Sequence, residues 1–149
     1  MDLLKLVNRR RFSRRILIIG ICVAIVLFYP IKTTVVPRWR IRVVDKEGKP
    51  YVGQFVRQSW KHDSLDLSAG DNIEDSWTDA EGYVDFPERT IRAGLLQRIL
   101  FPAWAALMTL AHGSTGISAD VMVWGADNYP IEAVYVPGQP LPEVIVLPR

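Results

Sequence analysis

The sequence predicts a mainly β domain, an antiparallel β-sandwich with one helical insertion, preceded by a single transmembrane helix. Three observations predict it. A basic cluster, Arg9-Arg10-Arg11 and Arg14-Arg15, abuts an uncharged apolar run over residues 16–31, as a membrane-inserted segment does. Most of the chain behind that run is short apolar/polar alternations separated by Gly, Pro and Asp clusters, the rhythm of an all-β sandwich. One segment, residues 90–112, breaks that rhythm with apolar residues at helical spacing.

The apolar run reads as an uncleaved signal-anchor. It ends Leu27-Phe28-Tyr29-Pro30-Ile31, with bulky residues where a signal peptidase needs small ones. Cys22 is preceded by β-branched Ile21, which disfavours a lipoprotein signal. The core is short for a span, and snorkelling of Arg14, Arg15 and Lys32 with Tyr29 at the headgroups can make up the difference. A buried strand or helix is the alternative. Lys5 and five arginines precede the run and Lys32, Arg38, Arg40 and Arg42 follow it, the later arginines alternating with apolar residues like the outer face of a strand. The positive-inside rule therefore expects a cytoplasmic amino terminus and an extracytoplasmic domain, periplasmic in a Gram-negative source. The layout expected is a basic tail over 1–15, an anchor over 16–31 and a β-sandwich over 37–149.

Composition narrows the function. The chain has 149 residues and a formal net charge of +2, owed largely to the amino-terminal cluster. The exported part is near neutral or slightly acidic, with no basic stripe for nucleic acid. The lone cysteine, Cys22, lies inside the apolar run, so no disulfide or cysteine metal cluster can form in the domain.

Each element has its local reason. Trp39-Arg40-Ile41-Arg42-Val43 alternates with the period of a half-buried strand. Asp45-Lys46-Glu47-Gly48-Lys49-Pro50 is a turn cluster, and residues 51–60 resume strand character. Residues 61–76 form a polar stretch, and residues 77–87 read as a hairpin with Gly82 at positive φ. Residues 121–124, 132–136 and 144–147 supply three further strands. Trp60, Trp77 and Trp124 are expected in the core.

Two of these stretches carry a resemblance. Val43-Val44-Asp45-Lys46-Glu47-Gly48-Lys49-Pro50-Tyr51-Val52-Gly53 resembles the V-x-D-x-x-G-x-P-V-x-G opening of carboxypeptidase-regulatory-like domains, in the transthyretin-like (prealbumin-like) group. Thr78-Asp79-Ala80-Glu81-Gly82-Tyr83-Val84-Asp85-Phe86 resembles that group's T-D-x-x-G-x-Y/F-x-F hairpin. The resemblance implies a transthyretin-like (Ig-like) sandwich. Such domains are mostly non-catalytic modules for folding, adhesion or interaction, so fold alone does not name an activity.

Residues 90–112 depart from that pattern. Ile91, Leu95, Leu96, Ile99, Leu100, Trp104, Leu107, Met108 and Leu110 recur near helical spacing, Gly113 supplies a stop, and Pro102 should kink or divide the helix. No charge falls between Ile99 and Ala111. The segment is either a helix packed on the sheet or one docking on a membrane or partner, with Leu100, Phe101, Trp104 and Leu107 as the docking residues. A second span is disfavoured by Pro102 and Arg98.

The chemistry-bearing residues form no recognised motif. His62 and His112 lack a metal-ligand spacing, and Asp63, Asp66, Asp71, Glu74 and Asp75 lack a calcium-loop rhythm. Ser64, His112 and Asp120 have no nucleophile elbow behind them. The expectation is a non-catalytic, cofactor-free, metal-free, membrane-anchored interaction or structural module with a protein partner in the envelope. The alternative is an envelope ligand-binding or toxin-immunity protein using residues 61–76.

Overall fold

The computed structural model describes residues 3–66, 70–112, 116–125 and 129–148. Their elements are α1 (Leu3–Phe28), β1 (Ile31–Val36), β2 (Trp39–Val44), β3 (Phe55–His62), β4 (Asn72–Trp77), β5 (Tyr83–Phe86), β6 (Arg89–Ala93), α2 (Leu95–His112), β7 (Ile117–Trp124), β8 (Pro130–Val134) and β9 (Val144–Val146). The described residues are mainly β, with two helices. One sheet has the order β5-β2-β9, a second β4-β3-β7-β8, and β1 and β6 form a two-stranded ribbon. Every pairing is antiparallel except β2–β9, which is parallel.

Two turns of the same make organise the larger sheets. In Asp45-Lys46-Glu47-Gly48-Lys49 the Asp45 carboxylate accepts from the Glu47 and Lys49 amides, and Gly48 sits at φ 80°. In Asp79-Ala80-Glu81-Gly82-Tyr83 the Asp79 carboxylate accepts from the Glu81 and Tyr83 amides, and Gly82 sits at φ 81°. The Asx geometry and the left-handed glycine are what a D-x-E-G stretch favours locally. The second turn also packs on the end of the first: the Val43 amide donates to Gly82 O at 2.8 Å, and a Cβ added at Gly82 would lie 2.9 Å from Pro50 Cβ. Buried Thr78 clamps the neighbouring turn: its hydroxyl donates to Tyr51 O and accepts from the Gln54 amide.

The core lies between the two larger sheets. Trp39, Ile41 and Val43 from β2 meet Val56 from β3 and Val121 and Val123 from β7, and Phe86, Ile145 and Leu147 complete the layer. Trp39 is wholly buried, with its indole N–H donating to Pro142 O at 2.7 Å.

Several expectations need correction. Residues 77–87 are not a hairpin: β4 pairs with β3 and β5 with β2, so the Asp79–Gly82 turn carries the chain from one sheet to the other. The polar stretch 61–76 contains the end of β3 and most of β4. Its charges are tolerated because Arg57 meets Asp75 at 2.7 Å and Arg89 meets Glu74 at 2.7 Å. Residues 51–54 form a turn, with Gly53 at φ 65°, and β3 starts only at Phe55. Residues 89–93 are strand, so the helix begins at Leu95 and runs through Pro102 without dividing. Trp77 is 64% exposed, stacked edge-on against Phe55 on the outer face of the four-stranded sheet. Of the three tryptophans expected inside, only Trp60 packs against the core.

Candidate functional site

The ribbon places both helices at one end of the molecule. β1 and β6 run antiparallel, with Ile31 opposite Ala93 at the end where α1 enters and α2 leaves. Three residues lock that junction. Gly94 packs on the last turn of α1, so close that an added Cβ would lie 2.9 Å from Leu27 O and 3.2 Å from Phe28 Cα. Gln97 accepts from the Gly94 amide at 3.2 Å, a Gln at the third helical position reaching back to cap the start of α2. Arg98 donates to Ile31 O, to Thr33 Oγ1 and to Ala93 O, stapling the first turn of α2 onto the ribbon.

Between the helices lies an apolar cleft of about 220 Å³, lined by Leu27, Phe28, Gly94, Leu96, Gln97, Leu100 and Phe101. Leu100 is 53% exposed, and Phe101 is half-buried in the cleft wall. The structure therefore brings two of the sequence-predicted docking residues together at one site. The side chains of the other two, Trp104 and Leu107, lie outside the described residues. Leu27, Phe28 and Leu96 join them, and no local signal marks this. Leu27 and Leu96 meet only because the ribbon returns the chain to its starting end.

Helix α1 is the other half of the site. Ile16, Leu17, Ile18, Ile19 and Val26 are each at least 54% exposed, and free Cys22 is also exposed. Successive residues of a helix point all round its axis, so over residues 14–26 no side of α1 is covered by the body of the protein. Among the described residues no helix is long and apolar enough to cross a membrane. The uncharged part of α1, residues 16–28, is about 20 Å long at 1.5 Å per residue, against a hydrocarbon core of ~30 Å.

The candidate chemical groups are dispersed. Asp75 is held by Arg57 below the usual carboxylate range, Asp66 accepts from Asn72, and Asp71 lies 3.9 Å from Lys61. Among the described residues no group of three His, Cys, Asp or Glu stands where a metal could be held. Asp120 accepts from Ser59 at 2.5 Å across the β3–β7 ladder. Desolvation raises its pKa. The residue that sequence reasoning missed is Arg89. It is nearly buried and stacked 4.0 Å over Trp60, and it donates to Gln58 at 2.8 Å while pairing with Glu74.

No protein-family model, no curated protein and no solved structure matches this chain.

Proposed function

We propose that this chain is a non-catalytic, membrane-anchored interaction or structural module, with α1 as its anchor and the β body held outside the cytoplasm. The observation that carries the reading is the exposure of apolar side chains all around residues 16–26. A helix apolar on every side and covered on none is stable only in a partner's core or in lipid. Its basic flank favours lipid: Arg14 and Arg15 close the uncharged part on one side and Lys32 on the other, and their stems can bridge the missing length by snorkelling. The two D-x-E-G turns and the Thr78 clamp support reading the β body as transthyretin-like, a fold whose loops serve contact rather than chemistry. An envelope protein is the expected partner.

A reporter active only outside the cytoplasm, fused after Arg149, tests this directly. Activity, with a full-length product in the membrane fraction, is expected. A cytoplasmic reporter signal or a shortened soluble product overturns the anchor and the topology together.

A further inference from the structure

Helix α2 is tied to the β body at both ends. Ala93, just before it, is paired with Ile31, and Gly116, just after it, accepts from the Asp63 amide at 2.8 Å. The helix has 18 residues, about 27 Å, while the stretch from His112 to Gly116 reaches about 14 Å at most. A helix so tethered cannot cross a bilayer and return, so it lies along whatever covers it. Its only formal charge, Arg98, is turned inward onto Ile31 O and Ala93 O. Among the described residues, Ile99 (58% exposed), Leu100, Pro102, Ala103 and Ala106 face outward, an uncharged face.

Two observations say what covers that face. It is continuous, through the cleft at Leu27 and Phe28, with the exposed apolar surface of α1. One register step along the ribbon, Lys32 stands directly opposite Arg92, and like charges opposed across a ladder are destabilising. Glu88 compensates Lys32 at 3.1 Å, while Arg92 is exposed. Cations at that level, beside an uncharged helix face, match anionic headgroups above acyl chains.

We infer that α2 is a second, non-spanning membrane contact, lying in the plane of an anionic lipid surface beside α1 and fixing how the β body stands on it. This rests on the anchored reading of α1, and the test separates the two. The full chain with Cys22→Ser carries one new cysteine, Ile21→Cys, Leu100→Cys or Lys46→Cys, each labelled with an environment-sensitive dye. It is reconstituted into phosphatidylcholine vesicles, with or without phosphatidylglycerol, that contain shallow or deep doxyl-lipid quenchers. The expected result is deep quenching at residue 21, a blue shift with shallow quenching at residue 100, and neither at residue 46. Quenching at 21 with a solvent-like dye at 100 overturns the inference and leaves the anchor standing. No quenching at 21 overturns the anchor, whatever residue 100 reports. Loss of the extra quenching by phosphatidylglycerol in Lys32→Glu/Arg92→Glu supports the headgroup contact, and equal quenching in neutral vesicles overturns it. A dye at 100 that is wet in vesicles but buried in native membranes assigns the face to a protein partner and overturns the lipid assignment.

Discussion

Gly48 and Gly82 hold the same left-handed conformation in two copies of one turn, yet their surroundings differ. A Cβ at Gly48 would meet nothing within 4 Å, whereas at Gly82 it would lie 2.8 Å from Val43 O and 2.9 Å from Pro50 Cβ. Gly48→Ala should therefore cost only the backbone strain, about 1 kcal/mol. Gly82→Ala should cost roughly 1–3 kcal/mol more, because packed backbone must shift. Thermal unfolding of the two variants of the full chain in detergent checks this, and equal losses would remove the packing of one turn on the other from the account. Asp120 offers a pH test at the same scale. Its folded pKa is raised by burial, so its ionised form weakens the fold as pH rises through that value. Asp85 and Glu88 run the opposite way: hydrogen bonds from Arg38 and from Thr34 and Lys32 lower their pKa values. Their stabilisation is present above the usual carboxylate range and lost as pH falls through the lowered values. Asp120→Asn should raise the unfolding temperature at pH 7, with the gain vanishing below about pH 4. A gain that persists at pH 3 would mean that charge is not the cause.

Among the elements, the junction of α1, the ribbon and α2 depends on a residue with no side chain. Gly94→Val would drive a branched side chain against Leu27 O and the Phe28 backbone, pushing the start of α2 off α1. The sheets do not share that contact. The expected outcome is faster tryptic cleavage at Arg98 with an unchanged strand signal in circular dichroism. Unchanged cleavage would show that the Arg98 staple alone holds the helix. β4 makes a related point. It reads as loop because Glu74 and Asp75 sit in a polar run, and it is a strand because β3 and β6 bring arginines to both carboxylates. No window centred on β4 contains those arginines.

In the whole molecule, the distribution of buried charge ranks the ion pairs. Arg57–Asp75 is on the outer sheet face in water, so Arg57→Ala should leave thermal unfolding nearly unchanged. Arg89 joins the ribbon to the four-stranded sheet, and its side chain is only 11% exposed. Arg89→Ala strips the acceptor of buried Gln58 of its donor and should cost about 1–3 kcal/mol. A loss no larger than that of Arg57→Ala would sink the distinction. By itself the sequence determined what rests on neighbours in the chain: the β2 alternation, the D-x-E-G turns with Gly82 at positive φ, and an apolar helical stretch ending near His112. Leu100 and Phe101 were legible as apolar residues of a helix because an uncharged run at helical spacing needs no tertiary information to be seen. Only the tertiary structure decided that β5 leaves β4 to join β2, that β2 and β9 run parallel, and that Trp77 faces outward. It alone brought Leu27 and Phe28 against Gly94, Leu96 and Leu100. These depend on pairing between distant segments, whose partners are chosen by the burial of a shared core and not by any local spacing.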